Sequence, residues 1–453
     1  MMRPHHDPRR RGRAAAGRHV PGPALARRSV LAGSAATLGA AGLAGCGIFD
    51  EKPVKEPDPD HRRFVMTVWG GEPDKEAYQA RIDLAQKEFP DYEIVLQLIP
   101  QENYQQKVQT MISSDTGPDI MQVAEDINVY SSRSQLVPLD DMIEDAGVDM
   151  DKEFGPVADA YTYENQTYGI PDRSGAAILY FNKDLFDKKG IAYPDASWDW
   201  DTFADAALEL TEGTDVFGFG GASWWPHWFA LIEQNGGHVL DPDSGLPTIN
   251  SPEAVEALQF AQDMYFKDHF APTSVDLSNM GPDMGADGAF EQGKLAMNST
   301  GFWAIGSLAQ GDLNWDVARF FHGEKEAVSS FGSALTIPRA ARNATGSFEI
   351  IQFLTSAKGQ GPIASSGQDV PASLPVQTSD TFLQPDWMKQ PVDLEVFPES
   401  ADAVFTPNFV PEWNQAQKAF DDAMATFWQG KRDARAMADD LQSRLEAFIQ
   451  PPA

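Results

Sequence analysis

The chain holds a single cysteine in 453 residues, Cys46. No disulfide can close within it, and no thiol elsewhere can serve as a nucleophile. Basic residues are scarce: 35 Lys and Arg face 67 Asp and Glu, a formal net charge of −32. Such a balance repels nucleic acid and anionic membrane surfaces and disfavours phosphate or sulfate ligands, so no nucleic-acid partner is expected. Histidines are few and scattered. His227 and His238 share a region but stand eleven positions apart, a poor metal pattern. The segment Asp241-Pro242-Asp243-Ser244-Gly245 lacks the spacing and terminal Glu of a calcium loop and reads as a turn. Neither a metal nor another cofactor is expected. Gly-x-Ser-x-Gly, His-Glu-x-x-His and Gly-x-x-x-x-Gly-Lys-Ser/Thr patterns are missing, which removes the commonest signatures of hydrolases, metalloproteases and nucleotide binders. No apolar run reaches the roughly 20 residues of a membrane span.

What is present begins at the amino terminus. Arg27-Arg28-Ser29-Val30-Leu31 leads into an Ala- and Gly-rich apolar run that ends at Leu43-Ala44-Gly45-Cys46. A basic region, a short apolar region and small residues at a cut site make an export signal rather than a folded element. The Arg pair resembles the twin-arginine signal, and Leu-Ala-Gly-Cys resembles a bacterial lipobox, in which the Cys becomes the first mature residue and carries lipid on its sulfur. Residues 1–45 are thus expected to be a lipoprotein signal peptide and Cys46 the lipidation site. Eight of the basic residues and one acidic residue (Asp7) lie in that leader, so the remaining 408 residues carry a formal charge of −39.

Residues 46–63 are rich in Pro, Asp and Lys, with too few apolar side chains to pack, and read as a tether. Folding is expected from Phe64-Val65-Met66-Thr67-Val68-Trp69, a strand ending in Gly70-Gly71. A helical pattern over 74–89 places Tyr78, Ile82, Ala85 and Phe89 on one face. Strands at 93–99 and 119–123 enclose a second helix over 104–113. Strand, helix, strand, helix, strand implies parallel pairing with helical crossovers, and ligands in such sheets sit beyond the carboxyl ends of the strands. Those ends are Trp69 with Gly70-Gly71, and Ala124-Glu125-Asp126. Further on, an apolar strand is expected over 177–181. Helices are expected over 201–211 and 252–267, and two amphipathic helices close the chain.

Eleven tryptophans are present, several of them at expected strand ends or in Gly-rich loops: Trp69, Trp224, Trp225, Trp228, Trp303 and Trp413. An indole offers a flat apolar face to the C–H face of a sugar ring and an N–H that can donate a hydrogen bond. Trp224-Trp225-Pro226-His227-Trp228, between two Gly pairs, reads as a loop from which three indoles cannot all point inward. Carboxylates are too abundant for any pair to mark a glycosidase from sequence alone.

Six segments in order resemble the solute-binding lipoproteins of ABC importers, in the sugar-binding group that includes maltose-binding protein. They are Val65–Trp69, Gly117-Pro118-Asp119-Ile120, Tyr168-Gly169-Ile170-Pro171, Leu179–Phe186, Phe290–Met297 with Gly301-Phe302-Trp303, and Pro407-Asn408. The resemblance implies an α/β fold of the two-lobe periplasmic-binding-protein type (type II), with the ligand in a cleft between lobes joined by crossing strands. Lobe 1 would comprise 64–172 and 331–375, and lobe 2 173–330 and 376–453. Asp126 matches a position that accepts hydrogen bonds from sugar hydroxyls, Trp303 one that stacks on the sugar, and Trp413 lies in a segment that supplies another stacking ring. With Trp69, Glu125, Trp224, Trp225, Trp228 and the crossing residues Asp172 and Ser174, these form the expected ligand site; no catalytic residue is expected. The implied function is capture of a carbohydrate, an oligosaccharide, and its delivery to an ABC permease by a lipid-anchored monomer on the outer face of the cytoplasmic membrane. The alternative is a secreted glycoside hydrolase with a Trp-lined groove.

Overall fold

Alternating buried side chains Phe64, Met66 and Val68 make a strand of Arg63–Trp69 (β1). The helix that follows, Glu72–Glu88, buries Tyr78, Arg81, Ile82 and Ala85, three or four residues apart and so on one face. Glu93–Ile99 (β2) runs parallel to β1 along its whole length, from Arg63 opposite Glu93 to Trp69 opposite Ile99. After the helix Gln101–Ser113, Ile120–Val123 (β3) joins the other side of β1, again parallel. The parallel crossover pattern expected from the sequence is therefore the one observed. The computed structural model describes residues 58–114 and 116–450; the signal segment, Cys46 and most of the tether lie outside the described residues.

Thr162–Tyr163 (β4) and Gln166–Thr167 (β5) form a small hairpin. The remaining strands are Gly169–Ala176 (β6), Ile178–Asn182 (β7), Phe217–Gly220 (β8), Leu295–Thr300 (β9), Trp315–Ala318 (β10), Val328–Thr336 (β11), Val370–Pro371 (β12) and Val404–Phe405 (β13). They build two main sheets. The larger has the order β12-β6-β11-β3-β1-β2, with β13 added to β11; the smaller has the order β10-β7-β9-β8. The long strands β6 and β11 pair antiparallel from Ala176 opposite Ser330 to Gly169 opposite Thr336. Only Ala177 separates β6 in the large sheet from β7 in the small one, and the chain returns to the large sheet at β11. Two sheets linked by crossing strands are the two-lobe α/β architecture.

The helices of the second lobe form for reasons visible in their sequences. Pro252–Phe266 starts behind Ser251, whose hydroxyl accepts from the Ala254 amide, and Pro252 occupies a first-turn position that needs no N–H. Its Ala254, Ala257, Leu258, Ala261 and Met264 are buried at helical spacing. The closing helices Trp413–Phe427 and Ala434–Glu446 pack on one another. Gly218 on β8 is required by close approach: a Cβ there would lie 2.0 Å from the Ala207 carbonyl oxygen of the covering helix Trp200–Leu210.

One boundary is earlier than expected. The tether read as extending to residue 63 is held by the fold from residue 58: the Asp58 amide donates to the Arg342 carbonyl at 2.8 Å. The Asn343 side-chain amide also holds the carbonyls of Pro59 and His61. Backbone hydrogen bonds to a distant segment, which composition does not report, order this stretch.

Candidate ligand-binding site

Among the described residues the most exposed aromatic side chain is Trp303, 46% accessible at the start of the helix Trp303–Leu308. Its placement depends on Gly301, because a Cβ there would lie 2.2 Å from the indole ring. Two further rings complete a cluster. Trp224 meets Trp303 edge-on at 5.4 Å between centroids, and Phe331 lies 5.0 Å from Trp224 and 5.5 Å from Trp303. Trp303 follows β9 of the small sheet, whereas Phe331 is on β11 of the large one, so the cluster joins elements of both sheets. Phe331 lies across β6 where Gly175 leaves room; a Cβ at 175 would come 2.4 Å from its ring. Asp287 fixes the indole. Its Oδ2 accepts from Trp303 Nε1 at 3.3 Å and Thr300 Oγ1 at 3.2 Å, and its Oδ1 from Asn298 Nδ2 at 2.7 Å.

A small void of about 10 Å³ lined by Glu125, Tyr161, Phe331 and Phe409 lies at the carboxyl end of β3. Burial pushes the Glu125 carboxyl up to about 7, and the neighbouring Asp126 charge adds to the rise. Burial likewise raises Asp126 to about 6, against hydrogen bonds from the Ala124 amide and Tyr130 that favour its charged form. A carboxyl raised in the folded state binds protons more tightly there than in the unfolded chain, where Glu titrates near 4.3. Stability from Glu125 is therefore full at low pH and is lost as pH rises from the unfolded value through about 7. Glu125→Gln should melt above the native protein near pH 8 and together with it at about pH 4 and below. Equal melting temperatures at both ends would contradict the buried charge.

Two arginines organise the strands beneath. Arg173 on β6 donates from Nη1 to Asp74 at 2.9 Å and to Asp369 at 3.0 Å, and sits 4.8 Å above the Tyr78 ring. Burial raises Asp369 to about 6, with Arg173 opposing the rise. Arg81 is fully buried and donates to Asp172 Oδ1 at 2.5 Å and to the carbonyls of Leu354 and Gly359. Tyr78 donates its hydroxyl to the other Asp172 oxygen at 2.5 Å.

The expected site residues thus separate. Trp224 and Trp303 come together, whereas Glu125 lines a separate small void beside Phe331. Asp126 is buried behind Glu125 and bonded within its own loop. Trp69 is partly exposed at the end of β1 and packs edge-on against Tyr104 at 5.3 Å. Ser174 is partly buried on β6 between Gly332 and Val370. Three expectations need correction. Asp172 is wholly buried, with one carboxylate oxygen bonded to Arg81 and the other to Tyr78, so no ligand reaches it. Trp228 is 2% exposed, because residues 225–234 form a helix rather than a loop and turn that indole inward. Trp413 is 1% exposed and packs on Phe409 and Phe420, so the apolar face of its helix is core. Trp225, half-buried, leans on Phe229 and Trp413 outside the cluster. Asp287 and Phe331 were not among the expected residues. The only local signals were Gly301, which frees space for the indole that Asp287 holds, and Gly175, which frees space for Phe331.

Two sheets, crossing strands and an aromatic cluster shared by both define a two-lobe ligand-binding protein. Residues 69–361 match the family model for bacterial extracellular solute-binding proteins, and the chain belongs to that family. It is 24% identical over 380 residues to a protein of Brucella abortus (strain 2308) named as a binding protein, covering 80% of this chain and 87% of the relative. An arabinooligosaccharide-binding protein of Halalkalibacterium halodurans is 26% identical over 186 residues, 40% of this chain and 41% of the relative. Among solved structures, an ABC substrate-binding protein of Listeria monocytogenes in complex with cycloalternan superposes with a TM-score of 0.75 at 23% identity, covering 85% of this chain and 98% of that one. Maltose-bound MalE3 of T. maritima gives 0.72 at 18% identity, covering 85% of this chain and all of that one. These likenesses place the fold among two-lobe solute-binding proteins.

Proposed function

We infer that the chain captures a carbohydrate, an oligosaccharide, and hands it to the transmembrane subunits of an ABC permease without chemical change. The observation that carries this reading is the Trp303 indole: exposed, held at its edge by Asp287 and flanked by Trp224 and Phe331. A large apolar ring left in water on a rigid support suits the C–H face of a pyranose, and neighbouring carboxylates suit its hydroxyls. Relatives named for arabinooligosaccharide, cycloalternan and maltose support the ligand class. In this reading lobe 1 comprises 64–172 with 331–375, lobe 2 comprises 173–330 with 376–453, and the lobes close on the sugar. Lipid on Cys46 holds the protein, a monomer, at the outer face of the cytoplasmic membrane.

A thermal-shift screen against mono- and oligosaccharides tests this. A ligand that binds only the folded state raises the melting temperature by mass action, by roughly 2.7 kcal/mol of stability at a hundredfold excess over Kd. The expected hit is an oligosaccharide, recovered intact after incubation. New reducing ends in that mixture would instead make the chain a glycoside hydrolase.

A further inference from the structure

Beside Trp303 a cavity of about 560 Å³ opens on the small-sheet side of the aromatic cluster. Its wall carries four aromatic side chains, Trp224, Tyr265, Trp303 and Trp428, with Leu277 from a helix, Ser274–Met280, that buries none of its own residues. Tyr265 and Trp428 form a second ring pair, 5.6 Å between centroids, across from the Trp224 and Trp303 pair. One charged side chain lines this space, the carboxylate of Asp287. Its hydrogen-bond partners, Asn298, Thr300 and Trp303, are all neutral, and among the described residues no Lys or Arg pairs with it. Oδ2 takes two of the three donors and Oδ1 only one, so acceptor capacity remains on Oδ1.

Aromatic faces around one unneutralised carboxylate attract a cation twice, through the negative π faces and through the charge itself. A neutral hydroxyl gains one charge-assisted hydrogen bond from the carboxylate and nothing from the π faces, whereas an ammonium gains from both and an anionic sugar is repelled. We propose that this cavity receives a protonated amine, and that the ligand is an oligosaccharide bearing a free amino group. The proposal rests on the carbohydrate reading above and names the substrate class within it.

Calorimetric titration with a glucosamine trimer and with the same trimer N-acetylated tests it, since the two differ at the amine. At roughly pH 6, where the amine is protonated, the free-amine trimer should bind at least about tenfold more tightly, as expected of one cation–aromatic contact plus an ion pair. High salt should narrow the gap, because screening weakens the ionic part. Asp287→Asn, checked for native melting, should narrow the ratio of the two affinities; both affinities fall together where Asp287 acts by holding the Trp303 indole, so the ratio is the readout. If that variant fails to fold, Trp428→Leu, which removes one ring of the cavity and keeps Asp287, should narrow the same ratio, and an unchanged ratio would overturn the proposal. Equal or tighter binding of the N-acetylated trimer would overturn the proposal, as would a preference that survives Asp287→Asn. Binding of a neutral glucan or arabinan oligosaccharide with neither trimer bound would overturn it and leave the carbohydrate reading intact. Failure of every carbohydrate would overturn both.

Discussion

Replacing Asp172 by Asn should cost about 3–5 kcal/mol of stability, the usual result of removing one member of a buried ion pair. The carboxylate is at 0% exposure, with Arg81 on one oxygen and Tyr78 on the other. An amide keeps the shape but leaves the Arg81 guanidinium buried without a counter-charge. That guanidinium also holds the carbonyls of Leu354 and Gly359, so the loss spreads from the helix Glu72–Glu88 to residues 354–359. Replacing both partners by apolar residues should cost less than Asp172→Asn alone, because no orphan charge remains. Urea unfolding midpoints of the two variants measure the difference. A native midpoint for Asp172→Asn together with lost ligand binding would return Asp172 to the ligand site.

Trp303→Ala should behave in the opposite way. It should weaken oligosaccharide binding by about 2 kcal/mol or more, roughly thirtyfold in Kd, with melting close to native. The indole is 46% exposed, so little core is lost with it. Trp228→Ala and Trp413→Ala are the contrast. Both rings are buried, and each truncation should cost about 3–5 kcal/mol of stability. Calorimetric titration beside thermal melting separates the two kinds of tryptophan. Native affinity in a well-folded Trp303→Ala variant would remove this ring from the site.

That contrast also marks what a linear sequence can reveal. The short apolar runs at 64–69 and 93–99 and the helical spacing between them specify parallel strands, because a strand-helix-strand order returns the chain in the same direction. Which tryptophan faces solvent has no such period. Trp228 sits in a segment whose Gly pairs suggested a loop, but Pro226 stands in the first turn of a helix, where it fits, and the helix carries Trp228 inward. Trp413 showed its helical apolar face in the sequence, and that face is core. Asp172 read as a crossing residue open to ligand because its partners, Tyr78 and Arg81, lie more than ninety positions away. Asp287 and Phe331 were illegible for the same reason: each acquires its role from a ring that only the fold brings near. The glycines carried part of the answer, since Gly301 and Gly175 mark where Trp303 and Phe331 lie flat on the backbone.

The most direct measurement is the crystal structure of the protein with an oligosaccharide that raises its melting temperature. The account predicts a sugar ring against the exposed face of Trp303, with a polar substituent within hydrogen-bonding distance of Asp287. A sugar bound on another surface, with the Trp303 indole bare, would contradict it.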